Sequence, residues 1–178
     1  MIGLGLRGKI VVKDEIHGPI RPIKKRLRKL LVVVDGSPES KIAIRFAAAR
    51  AAHITGGELI LFHCIRPGEF QHWVAVADRM REEAYEEAEA LLREVAERLH
   101  NYCGVSPEIV IVEGEPKDEL KAHIISQGDI FGLVLGAGAQ GEPGPLVDYF
   151  TGSEVGDLPC PVMLVPGTMT YEQVDAMA

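Results

Sequence analysis

Leu133-Val134-Leu135-Gly136-Ala137-Gly138-Ala139-Gln140-Gly141-Glu142-Pro143-Gly144 is an apolar run that breaks into glycines, answered downstream by Thr151-Gly152-Ser153. A buried strand that ends in a Gly-rich loop and then enters a helix is a frame that holds phosphate. Glycines let backbone N–H groups approach an anion, and a helix N-terminus adds partial positive charge. Nothing else in the chain has a catalytic pattern of comparable clarity.

The apolar run is one of five. Lys29-Leu30-Leu31-Val32-Val33-Val34-Asp35 reads as the first strand, Glu58 to Ile65 as the second, Pro107 to Val112 as the third, Ile130 to Leu135 as the fourth, and Pro161 to Val165 as the fifth. Unbroken β-branched runs of this kind fit strands covered on both faces, as in a parallel sheet. Helical patterns alternate with them. Ser37 and Pro38 form an N-cap and a first helical residue. Ile42, Phe46, Ala49 and His53 then recur at helical spacing, and Gly56-Gly57 stops the helix. A long helix is expected from about Trp73 to about Tyr102, with Met80, Ala84, Ala88, Leu91, Val95 and Leu99 as its buried stripe. Pro116 opens a third helix with Leu120, Ile124 and Ile125 inside, and a short fourth helix is expected near Gly152-Ser153. Strict strand–helix alternation implies a mainly parallel open sheet with right-handed crossovers and helices on both faces. Ligands bind such sheets beyond the strand C-termini, at the point where the strand order reverses. Asp35 and Gly136 each stand at a strand C-terminus.

Composition narrows the class. The chain has 178 residues, 47% hydrophobic and 25% charged, enough for one domain with a sizeable core. No secretory h-region or membrane-length apolar run is present, so a cytoplasmic protein without membrane insertion is expected. Cys64, Cys103 and Cys160 are widely spaced and form no C-x-x-C, which fits reduced, buried thiols. His63 and His72 have no third ligand in a motif, so no metal is expected. The net charge of −7 is uneven: Met1 to Lys29 holds nine of the 19 Lys/Arg with only Asp14 and Glu15 as acids, leaving ten basic and 24 acidic residues, net −14, in the rest. This basic arm carries no aromatic residue for base stacking, which argues against nucleic acid as its partner. Lys9 to Lys13 can form a short edge strand. The expected organisation is therefore a basic extension (1–28), an α/β domain (29–167) and a C-terminal tail (168–178).

Four pieces, in order, resemble the universal stress protein family: Val34-Asp35-Gly36-Ser37; Glu113-Gly114-Glu115-Pro116; the strand–glycine loop; and Leu158-Pro159-Cys160-Pro161-Val162-Met163-Leu164-Val165-Pro166. The resemblance spans roughly Lys29 to Gly167. It implies an adenine-nucleotide alpha-hydrolase-like fold with strand order 3-2-1-4-5, and ATP or AMP, with Mg²⁺, as cofactor. It places Asp35 near adenine or ribose, Gly138, Gly141 and Gly152 near phosphates, and Ser153 as a hydroxyl donor to phosphate. It also implies a homodimer through Pro161–Pro166, with a further protein partner unidentified. Nucleotide-binding members carry G-x2-G-x9-G-[ST]. Here Gly138 and Gly141 match the first half, but ten residues rather than nine precede Gly152-Ser153.

The loop also bears Glu142, Pro143, Pro145 and Asp148, and no Lys or Arg lies between Gly136 and Ser153. Acids disfavour a polyphosphate, and prolines remove N–H donors. The same residues have purely structural readings: tight-turn glycines, Ser153 as an N-cap, Asp35 as a turn acceptor beside Ser37. Three functions stay open: a regulatory or stress-response protein binding ATP or AMP without turnover, a dimeric interaction module with a decayed site and no cofactor, or a slow ATPase. A phosphoacceptor receiver domain is disfavoured, because the strand ends offer a lone Asp35, Glu113 and Pro166 where it needs an acidic pair, an Asp and a Lys. A Walker A loop is excluded, since no G-K-[ST] occurs.

Overall fold

A computed structural model describes residues 28–67 and 74–177. The elements are β1 (Lys29–Val33), α1 (Pro38–His53), β2 (Glu58–Ile65), α2 (Val74–Cys103), β3 (Glu108–Glu113), α3 (Pro116–Gln127), β4 (Ile130–Ala137), α4 (Pro145–Thr151), a 3₁₀ turn (Ser153–Asp157), β5 (Val162–Pro166) and α5 (Tyr171–Met177). The five strands form one sheet of order β3-β2-β1-β4-β5. Every pairing is parallel. The expected sheet and strand order are thus observed. The strand expected at Lys9–Lys13, and the residues His72 and Trp73, lie outside the described residues.

Why the strands read as unbroken apolar runs is plain from their two faces. Leu30, Val32 and Val34 point into one core with Ala43, Ala47 and Ala51 of α1 and with Leu92 and Leu99 of α2. Leu31 and Val33 point into the other core, with Leu120 and Ile124 of α3 and Val147 and Phe150 of α4. A period-2 strand buried on both sides has no polar alternation to show.

The helices depart from the expected stripes in instructive ways. The face of α1 toward the sheet is mostly alanine, so the helix approaches closely. In α2 the buried residues include Ala88, Leu92 and Leu99, whereas Met80 and Leu91 are 41% and 38% exposed. The 30-residue helix is roughly 45 Å long, far longer than any strand it covers, and its core contacts come from its C-terminal half. Ile125 of α3 is exposed rather than inner. The short helix expected near Gly152-Ser153 is the 3₁₀ turn Ser153–Asp157; ahead of it an additional helix, α4, starts at Pro145 and is ended by Gly152, whose N–H donates to Asp148 O at 3.1 Å. Gly144 (φ 103°) followed by Pro145 supplies the start, the same proline-at-first-turn signal that opens α1.

The segment expected as a tail carries α5. Val174 is fully buried, and the helix packs on α1. Arg45 of α1 donates two hydrogen bonds to Asp175, both 2.7 Å, and the Tyr102 hydroxyl donates a third at 2.5 Å. The guanidinium also lies over the rings of Tyr102 (4.0 Å) and Tyr171 (4.8 Å). These donors, Arg45 first, hold the Asp175 carboxyl at about 2, below its ordinary 3.8. A carboxyl depressed in the folded state stabilises fully above its unfolded value and loses that contribution as pH falls. The docking of α5 is therefore expected to weaken on acidification from about pH 4 toward about pH 2. NMR shifts of the Tyr171 ring will follow this transition, which is absent in Asp175→Asn.

Candidate functional site

The strand order reverses between β1 and β4, and the crevice at their C-terminal ends is built from short-range turn chemistry. Asp35 lies just past β1. Its Oδ1 accepts the Ser37 N–H at 2.9 Å, closing an Asx-type turn. The Ser37 side chain caps α1 by accepting the Ser40 N–H at 3.1 Å. Ser40 is 4% exposed, and its hydroxyl donates to Val33 O at 3.0 Å. His63, at the end of β2, donates from Nδ1 to Val34 O at 2.6 Å. That places His63 as a hydrogen-bonded strand-end histidine. Among the described residues no cluster of three or more His, Cys, Asp and Glu could hold a metal ion.

On the β4 side, Gly136 lets α1 sit directly on the strand. A Cβ at Gly136 would lie 2.4 Å from Glu39 O. The loop then folds on itself. Gly138 N–H donates to Pro143 O at 3.1 Å, and Glu142 N–H donates to Ala139 O at 3.3 Å. Gln140 (φ 62°) and Gly141 (φ 83°) both sit in the left-handed region, as a type I′ turn requires. A Cβ at Gly138 would fall 2.3 Å from Glu142 O, so this glycine is demanded by the turn itself.

The resulting cavity is about 70 Å³ and is lined by Val33, Asp35, Ser37, Glu39, Ser40, Leu135, Gly136 and Pro143 to Val147. Of the predicted site residues, Asp35 is on its wall and Gly138 is next to it, with Glu39 Oε1 3.7 Å from the position of a Cβ there. Gly141, at the loop tip, and Gly152 and Ser153, at the C-terminal end of α4, are exposed and outside the lining. Gly136, expected with Asp35 at the strand ends, lines the crevice, whereas Glu39, Ser40 and Gly144-Pro145 are not anticipated there. The Gly144-Pro145 helix start could have been found from the signal that revealed Ser37-Pro38. The lining carries two carboxylates, Asp35 and Glu39, and no Lys, Arg or His. Its character is acidic, with polar acceptors from the α1 cap.

A parallel sheet with this order, helices on both faces and a crevice at its reversal defines an open, doubly wound α/β class, and the comparisons assign the family. The sequence profile of the universal stress protein family matches residues 26–166, and the chain belongs to that family. A universal stress protein, UspA, from Lactobacillus plantarum superposes with a TM-score of 0.64 at 20% identity, over 79% of this chain and 99% of that one. A universal stress protein in complex with cAMP superposes at 0.53 with 23% identity, over 78% and 96% of the two chains. A universal stress protein family protein from Arabidopsis thaliana with AMP bound superposes at 0.55 with 20% identity, over 78% and 91%. At such identities these likenesses show the fold. No curated protein sequence matches the chain.

Proposed function

We propose that this universal stress protein is a small cytoplasmic regulatory protein that binds an adenine nucleotide at the β1/β4 crevice and does not turn it over. One observation carries the reading: Asp35 and the Gly136–Gly138 turn stand on either side of the sheet's reversal point, where open parallel sheets take ligands. Two solved relatives of the same fold hold AMP and cAMP, which supports the adenine nucleotide as ligand class.

In this reading Asp35 accepts from the adenine amino group or a ribose hydroxyl, and the Gly138–Gly141 turn faces the phosphate. Gly152 and Ser153 reach the phosphate only if the end of α4 moves toward the crevice. Crevice chemistry favours a single phosphate over three. Asp35 and Glu39 repel added negative charge, Pro143 and Pro145 have no N–H to offer, and the Gly138 N–H is already committed to Pro143 O. The cavity of about 70 Å³ is well below the roughly 300 Å³ at which small-molecule sites begin. A nucleotide therefore lies across its mouth, or binds as the 138–144 turn opens. Hydrolysis needs a positioned base and a cationic stabiliser, and the crevice residues supply no cation for the leaving phosphate.

Calorimetry with AMP, cAMP and ATP, with and without Mg²⁺, tests this. Binding of AMP is expected to be tighter than that of ATP, with no phosphate released from ATP. The exposed Glu142→Lys is expected to raise ATP affinity by roughly twofold to fivefold, and AMP affinity by less. No heat with any of the three nucleotides would instead favour a second reading, an interaction module without a nucleotide. The observation behind that second reading is the self-closed loop, whose Gly138 N–H already has a partner. Both readings include a homodimer joined along β5, the exposed edge of the sheet.

A further inference from the structure

Between α1, α2 and α5 runs a groove unconnected with the crevice. Its volume is about 330 Å³, several times that of the crevice and within the range of small-molecule sites. Its walls are Ile44, Leu91, Val95, Leu99 and the rings of Tyr102 and Tyr171. Leu91, Tyr102 and Tyr171 are 38%, 38% and 48% exposed, so much of this apolar surface has no cover among the described residues. The α5 helix completes the groove, since Tyr171 comes from it and is held there through the Arg45–Asp175 pair.

The rim has a definite charge. Arg98 pairs with Glu94 at 2.6 Å and Arg45 with Asp175 at 2.7 Å. Lys41, exposed on α1, makes no ion pair among the described residues. The unbalanced charge at the groove is therefore positive on a chain whose net charge is −7. An apolar slot with one unpaired cation at its lip complements an elongated apolar molecule with one anionic end. The basic N-terminal segment fits worse, because it would bring Lys and Arg against Lys41.

We propose that the α1/α2/α5 groove is a binding site for an anionic amphiphile of the medium-chain carboxylate class. The carboxylate sits at Lys41, and the chain lies along Leu91, Leu99 and the two tyrosines.

The test is equilibrium dialysis of the full chain against sodium octanoate below its micellar range, with hexanoate and 1-octanol in parallel. One saturable octanoate site is expected, not displaced by AMP. Hexanoate should bind more weakly, by up to about fourfold for each methylene lost. Octanol and the Lys41→Glu variant should each show a loss of about twofold to fivefold, as expected when an exposed ion pair is removed. Leu91→Glu should abolish uptake. Both substituted side chains are exposed, so the fold is expected to survive. Four results would overturn the proposal: no saturable uptake by the full chain; uptake unchanged in both variants; octanol binding as well as octanoate; or Leu91→Glu turning a dimer into a monomer, which would make the occupant a second copy.

Discussion

Replacing Gly136 by alanine is expected to cost about 3 kcal/mol of stability, lowering the urea midpoint by about 1 M or more. The cause is contact between backbones. A Cβ at Gly136 would stand 2.4 Å from Glu39 O, 2.5 Å from Glu39 C and 2.9 Å from Ser40 N. None of these atoms belongs to a flexible side chain, so α1 as a whole must lift from β4. The lift would also disturb the Ser37–Ser40 cap and the floor of the crevice. Two other glycines calibrate the result. Gly128 has open space around it but φ +64°, so alanine there costs about 1 kcal/mol through the left-handed conformation alone. Gly156 has open space and no such φ, and its replacement should be nearly silent. A Gly136→Ala protein as stable as Gly156→Ala would mean that α1 and β4 are not in this contact.

The second large effect concerns assembly. Leu164→Asp is expected to raise the dimer dissociation constant by more than about 100-fold. β5 is the edge of the sheet, and Leu164, at its centre, is 45% exposed. An exposed edge with an apolar centre invites a second strand. Across a two-fold axis every substitution acts twice. Losing burial of the exposed part of two leucines costs about 1.5–3 kcal/mol together, and two carboxylates desolvated beside each other across the axis add to that. Leu164 is a cleaner position than Met163, which packs into the core and whose Cε would lie 2.7 Å from a Cβ on Gly132. Sedimentation equilibrium decides it. A wild-type monomer at high concentration would refute the β5 dimer, and an intact Leu164→Asp dimer would place the interface elsewhere.

Much of the fold was legible because its causes are local. Leu30 to Val34 announces a strand with two buried faces, and Ser37-Pro38 announces the start of α1. Strand order came through resemblance, since pairing is not a local property. The stripe of α2 holds at Ala88, Val95 and Leu99 and fails at Leu91, where Leu92 is the buried residue, and at Met80, in the half of the helix that makes little core contact. The short helix expected near Gly152-Ser153 is present as the 3₁₀ turn Ser153–Asp157, whereas α4 ahead of it, opened by Gly144-Pro145, is not anticipated. Least legible were contacts that join distant residues. The Arg45–Asp175 pair spans 130 positions, and nothing near Asp175 announces its partner. The commitment of the Gly138 N–H to Pro143 O is a matter of loop geometry, which glycine spacing alone does not reveal.

The central claim, an adenine nucleotide at the β1/β4 crevice, is tested most directly by titrating AMP into the ¹⁵N-labelled full chain and following backbone amides by NMR. The account predicts saturable shifts at Asp35, Ser37, Gly136 and Gly138, with the amides of β5 and α5 unmoved. Saturable shifts confined to other elements, or none at millimolar AMP, would contradict it.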